Sequence, residues 1–230
     1  MTSSEKDWGL EIVSGPFTIG FGNIRSSKSV LESSFPGINF FSLTQVHGNH
    51  IVLGSASQHE ADAHFTNSPN SALLVSTADC IPCMLACPKT LTVMAIHAGW
   101  RGLAKSIIPL SIEKMISLGA APEGILAFIG PHIQKRNFEV ETHVAEEILS
   151  TVGSSSKKEF CSPSRSGKVL VDLNLVAKMQ LFNSGVLLSH LFDYHIDTFE
   201  SPLHHSFRRD RKESGRQLSF IFINQNQTSA

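Results

Sequence analysis

Residues 76–102 read STADCIPCMLACPKTLTVMAIHAGWRG. Two short apolar strands stand out here, over 72–76 (ALLVS) and 91–96 (LTVMAI), and each ends in a cluster of chemically capable side chains. The first cluster carries Thr77, Asp79 and Cys80. The second carries His97, Trp100 and Arg101, with glycines at 99 and 102. Upstream, Thr44-Gln45-Val46-His47-Gly48 has the same form, an apolar run and then a histidine beside a glycine. One thiol and two imidazoles at such positions suggest a three-ligand metal site with an open fourth position.

Working outward, residues 38–54 read as two strands around a turn at Gly48-Asn49, and 125–129 (ILAFI) and 218–223 (LSFIFI) as further buried strands. The stretch 102–118 reads as a helix stopped by Gly119 and Pro122, with Pro109 expected to kink or split it. Residues 141–152 read as a helix. Asp172 caps another of apolar period, LNLVAKMQLF, which ends at Gly185. The Ser-rich stretch 153–167 reads as an exposed loop. With no repeat and no long linker, one domain over residues 1–230 is expected.

The bulk properties are those of a soluble enzyme. A formal net charge of -1 and a pI near 6.8 give no general attraction to nucleic acid or to an anionic membrane. Neither a membrane-spanning stretch nor a signal-peptide core is present, and four cysteines make no disulfide scaffold, so a cytoplasmic setting is expected. The local basic run Arg208-Arg209-Asp210-Arg211-Lys212 is either a solvated face or an anion site.

Each candidate has a plain alternative. Cys80 could be a small buried hydrophobe, as Cys83 and Cys87 read within CMLAC. His97 could be a structural histidine, although the flanking glycines permit close backbone approach and Arg101 beside them suits an anion. Asp62 and Asp79 are acidic candidates or turn aspartates. His50, His59, His64, His190, His195, His204 and His205 lack comparable settings, and most read as surface residues.

Together, TQVHG at 44–48, ADAHFT at 61–66, TADCIP at 77–82, HAGWRG at 97–102, IGPHI at 129–133, FEV at 138–140, VDLN at 171–174 and SFRRD with GRQ at 206–217 resemble the YfiH-like family. That family has been described as multicopper polyphenol oxidoreductase or laccase-domain proteins. The resemblance covers nearly all of residues 40–223. It implies an α+β fold, a sandwich of mixed β-sheets flanked by helices. It implies one zinc bound by His47, Cys80 and His97, with copper as the alternative metal. It also implies a purine nucleoside phosphorylase of adenosine and inosine, with adenosine deamination and methylthioadenosine phosphorolysis as associated activities. On that reading Cys80, His97, Asp79 and Arg101 serve catalysis, and Arg101, Arg208, Arg209 and Gln45 bind nucleoside and phosphate in a monomer or homodimer. The chain departs from the pattern in residues 14–24, at Phe138, at Asp197 before Thr198, and at Pro109.

The residues favour zinc chemistry over the laccase label. A multicopper oxidase draws many imidazoles from His-x-His pairs, and eleven histidines here include none. Two other classes remain: a cysteine hydrolase using Cys80 and His97, and a non-catalytic metal-binding protein.

Overall fold

The computed structural model describes residues 1–54, 59–153, 157–164 and 167–224. The chain opens with three strands, β1 (Thr2–Lys6), β2 (Gly9–Ser14) and β3 (Phe17–Gly22), and a short helix α1 (Lys28–Ser34). Then come β4 (Asn39–Ser42), β5 (Ile51–Leu53), β6 (Ala63–Thr66), β7 (Ser71–Thr77), β8 (Ile81–Cys87) and β9 (Thr92–Ala98). Helices α2 (Trp100–Ala104) and α3 (Ile107–Ser117) lead to β10 (Leu126–Ile129), β11 (Glu139–Val140), α4 (Thr142–Leu149) and α5 (Lys157–Phe160). The remainder is β12 (Cys161–Pro163), β13 (Val169–Val171), α6 (Leu173–Asn183), β14 (Leu191–Asp193), α7 (Phe207–Asp210) and β15 (Gln217–Ile223).

The strands form two six-stranded sheets and one small one. The first runs β1-β2-β3-β15-β7-β4, the second β14-β10-β8-β9-β6-β5, and the small sheet β11-β13-β12. Both large sheets are mixed, because β4–β7, β5–β6 and β10–β14 pair parallel and the other pairs run antiparallel.

Period-two alternation assigns each side chain of the central strands to a layer. On β8, Met84 and Ala86 join Phe17, Ile19, Phe21, Leu73 and Val75 of the first sheet in the core between the sheets. Cys83, Leu85 and Cys87 point the other way, into a core shared with Ile108 and Ile112 of α3 and Val176 and Leu181 of α6. The outer face of the first sheet is closed by Leu31 of α1 over Leu74, Phe220 and Phe222. The result is an α+β sandwich of mixed sheets with helices outside. Strands covered on both faces are largely apolar, which is why 72–76 and 91–96 read as mostly apolar runs.

Several sequence expectations are corrected. Residues 38–54 are not a hairpin: β4 and β5 lie in different sheets, and Leu43–His50 is a loop crossing between them. The stretch 102–118 is two helices, broken where Ser106 takes left-handed dihedrals (φ 58°, ψ 39°). Pro109 is the third residue of α3, in the first turn, where its missing N–H has no intrahelical partner to lose. Within 153–167, α5 and β12 replace the expected loop, and Phe160 is buried; residues 154–156 and 165–166 lie outside the described residues. The departing segment 14–24 supplies the turn into β3 and β3 itself, in the middle of the fold. Among the described residues no helix is long and apolar enough to cross a membrane.

Candidate metal centre and its pocket

His47, Cys80 and His97 come from three separate places and converge, their potential ligand atoms all within 4.8 Å of one another. His47 lies in the loop after β4, Cys80 in the link between β7 and β8, and His97 one residue before the end of β9. The two imidazoles meet edge to face, centroids 4.8 Å apart. Gly99 makes room for them: a Cβ there would lie 3.0 Å from Cys80 Sγ and 3.2 Å from His47 Cδ2.

The residue that organises this cluster is Asp62, which the sequence offers only as an acidic candidate. Its fully buried carboxylate accepts the backbone N–H groups of Val46, His47 and Gly48 at 3.3, 3.0 and 2.6 Å. One of its oxygens also lies 2.7 Å from His97 Nδ1. A carboxylate only accepts, so Nδ1 carries the proton and Nε2 is left with its lone pair toward the cluster. Asp62 thus fixes the backbone of one candidate ligand, where His47 has a positive φ of 58°, and the ring of another.

Electrostatics suit a cation. Burial pushes the Cys80 thiol up, but the charge of His97 and hydrogen bonds from His47 and His97 outweigh it and bring it down to about 6. Burial pushes His97 down, and Cys80 and Asp62 together raise it to about 9. Asp62 is raised by burial and lowered more by its bonds to His97, Gly48 and His47, so it stays ionised. By contrast, Cys83 lies in apolar core and is pushed up to about 12 by burial. The donor set of imidazole, thiol and imidazole, with a carboxylate behind it, fits a zinc-type ion: the Cys80 thiol deprotonates more readily than a free one, and a bound cation would displace the extra proton that Cys80 and Asp62 favour on His97.

The cluster forms part of the wall of a pocket of about 640 Å³. Trp100, Phe138, Val140 and Phe207 give this pocket an apolar side, and Arg101, Arg208, Arg211 and Arg216 line it with cations. Arg101 lies over the Trp100 ring (4.4 Å) and Arg208 over Phe138 (5.4 Å). Phe138 follows a turn pinned by Asn137, which donates to Asp197 at 2.8 Å; Asp197 also accepts Phe199 N–H at 3.0 Å.

Three expected site residues are placed differently from the roles expected of them. Asp79 lines the pocket, but one oxygen accepts the Thr198 hydroxyl at 2.8 Å and the other the Arg208 N–H at 2.6 Å. It ties the Cys80 link to α7, and the carboxylate that touches a candidate ligand histidine is that of Asp62. Gln45 lines the pocket, but its side-chain amide donates to Ser76 O at 2.8 Å and accepts Ser76 N–H at 2.7 Å, and so extends the β4–β7 pairing beyond Ser42. Arg209 does not line the pocket. Its guanidinium donates to the carbonyls of Thr198, Phe199, Ser201 and His204 and to Asp210. Two histidines read as surface residues, His64 and His204, are buried, and Cys161 is half buried in β12.

Sequence reasoning had a signal for Asp62, since ADAHFT places a charge directly before a buried strand. Arg211 and Arg216 were visible only as members of basic segments, because nothing local says which arginine of such a segment turns inward.

Residues 23–224 match the family model described as multi-copper polyphenol oxidoreductase laccase. The purine nucleoside phosphorylase YfiH of Escherichia coli (strain K12) is 35% identical over 186 residues, 79% of this chain and 72% of that protein. The purine nucleoside phosphorylase of Haemophilus influenzae is 33% identical over 206 residues, 87% of this chain and 81% of its own. Among solved structures, YlmD from Geobacillus stearothermophilus superimposes with a TM-score of 0.86 at 23% identity, covering 97% of this chain and 99% of that one. The YfiH protein of Bacillus licheniformis gives 0.83 at 22% identity, covering 90% and 93%.

Proposed function

From the premise that the chain belongs to the YfiH-like family, that of the multi-copper polyphenol oxidoreductase laccase model, we propose that it is a zinc-binding purine nucleoside phosphorylase. The observation that carries this reading is the coincidence, in one pocket, of the His47/Cys80/His97 cluster, four arginines and an aromatic wall. Among the described residues this cluster is the one group able to hold a metal, which supports a single catalytic ion over a multicopper centre.

In the proposed reaction a phosphate oxygen bonds to C1′ of the nucleoside as the bond from C1′ to the base nitrogen breaks. The base leaves with the bonding electrons and takes up a proton. Charge becomes positive on the ribose and negative on the departing base, so the pocket must place anion and purine on opposite sides of C1′. The arginines hold the phosphate and set its oxygen in line. The rings of Trp100, Phe138 and Phe207 offer faces on which a purine stacks. His47, Cys80 and His97 would hold zinc, which when bound supplies a Lewis acid for charge that develops beside it. Asp62 keeps the His97 tautomer that leaves Nε2 free for it. Adenosine and inosine are the proposed substrates, with adenosine deamination and methylthioadenosine phosphorolysis as accompanying activities.

The test is product analysis with inosine and adenosine, with and without phosphate, beside metal analysis of the same sample. Hypoxanthine and ribose 1-phosphate are expected from inosine only with phosphate, and about one zinc per chain. Cys80→Ala is expected to lose the zinc and to lower hypoxanthine release by about a hundredfold or more. Full phosphorolysis by a zinc-free variant would make the metal structural. Ammonia release from adenosine, lost in the same variant, would assign deamination to the same centre. A second reading, a cysteine hydrolase, draws on the Asp62–His97–Cys80 alignment and the low thiol pKa of about 6. Phosphate-independent hydrolysis by protein free of zinc would favour it.

A further inference from the structure

Arg211 stands apart from the other arginines of the pocket. Its backbone has φ 55° and ψ −127°, a combination that glycine adopts freely and that strains any L side chain. The chain holds it there from both sides. Its N–H donates to Phe207 O, and its carbonyl accepts Ser214 N–H at 3.2 Å. Glycine would satisfy this turn without strain, yet the position carries a long cationic side chain that lines the pocket.

The neighbouring guanidinium groups are engaged to different degrees. Arg209 is wholly engaged with carbonyls and Asp210. Arg208 gives one nitrogen to the carbonyls of Glu139 and Asn137, and Arg216 one to those of Ser214 and Gly215. Among the described residues the guanidinium groups of Arg101 and Arg211 have no hydrogen-bond acceptor, and that of Arg101 rests on Trp100. Arg211 also lies near enough to Arg208 for its charge, after burial, to lower that group's pKa. Both guanidinium-bearing side chains line the same pocket. Asp79 and Glu139 also bear on Arg208, and Asp79 has both oxygens engaged, with Thr198 and the Arg208 backbone. Such a pair is stabilised by an anion placed between its members.

We infer that Arg211, with Arg208 and Arg101 of the same pocket, is the anion-binding residue that receives inorganic phosphate, and that Arg209 is a brace for the Thr198–His204 segment. The inference rests on the reading that this pocket uses phosphate. It moves the contact from the arginine that the motif singles out to one that the backbone geometry singles out.

The experiment is a thermal-shift titration with inorganic phosphate on wild type, Arg211→Gly and Arg211→Lys, followed by phosphate-dependent turnover. Without phosphate, Arg211→Gly is expected to melt about 2–4 °C above wild type, because the turn is relieved. With phosphate, wild type is expected to gain melting temperature by mass action, and the Gly variant to need roughly tenfold to a hundredfold more phosphate for the same gain. Arg211→Lys keeps the charge without the fork and is expected to fall between them. A glycine variant that keeps the wild-type phosphate response, or that melts below wild type, would overturn the inference, as would a wild type that phosphate leaves unmoved. The binding arm needs no turnover. Phosphate binding without phosphorolysis would leave Arg211 in place and discard the proposed reaction instead.

Discussion

Asp62 shows how much one buried carboxylate can decide. Four hydrogen bonds converge on it, three from the loop that carries His47 and one from the His97 ring. Asp62→Asn keeps the volume but puts an amide N–H where one of these donors points. Zinc affinity is expected to fall 10- to 100-fold, as for other losses of a carboxylate behind a ligand histidine. Competition against a chromophoric chelator measures it, and an unchanged affinity would refute the role. The His47, Cys80 and His97 positions were legible in the sequence because each sits where an apolar run stops beside a glycine or a reactive neighbour. The division of labour between the two aspartates was not legible. Asp62 and Asp79 have equally plausible local settings, and only the tertiary fold, which brings residue 62 under residues 46–48 and Thr198 against residue 79, separates them.

At the scale of elements, the buried strands could be read because a strand covered on both faces has to be largely apolar along its length. The pairings could not. The turn at Gly48-Asn49 suggested a hairpin, but the Gly48 N–H is taken by Asp62, and β4 and β5 pair parallel with β7 and β6, in two different sheets. The N-terminal strands escaped because β1 is wholly exposed and β3 is interrupted by glycines at 20 and 22, one of which admits the Phe220 ring. The join of β9 to α2 is where an element governs the site. Gly99 has ordinary dihedrals (φ −73°, ψ 168°), so alanine there is not strained and its effect is purely spatial. Gly99→Ala is expected to retain the fold but to push Cys80 Sγ and His47 apart, lowering zinc retained after dialysis several-fold. Gly124→Ala, at a site where a Cβ meets nothing within 4 Å, is the control and is expected to retain zinc as wild type does. Equal retention by both would show that the cluster tolerates the methyl group.

Over the whole molecule, buried neutral histidines set the acid limit. Burial lowers His64 to about 3, and burial with the nearby charges of His205 and Arg209 lowers His204 to about 4. The unfolded chain binds protons at both positions once the pH drops below about 6.5, while the folded chain does not, so stability falls as the pH falls through that range. Between pH 7 and pH 5 each should cost about 2 kcal/mol. Urea denaturation in the presence of a chelator tests this. His64→Leu is expected to remove about 2 kcal/mol of the loss between pH 7 and pH 5, and a wild type equally stable at both pH values would contradict it.

The position of β15 has a consequence for the order in which the molecule comes together. Gln217–Ile223 lies between β3 and β7, in the interior of the first sheet, although it is the last strand of the described chain. Until it arrives, β3 and β7 each present an unpaired edge, and their apolar side chains have no neighbour to complete the layer. The long-range pairing that joins them is slow to form because its closing strand lies some two hundred residues from its partner β3. The His47 loop and the Cys80 link flank β4 and β7, on the side of the sheet that depends on this closure. The second sheet is itself completed only by β14, Leu191–Asp193, so both sheets await late segments, and the pocket is whole only once β15 has slid home between β3 and β7.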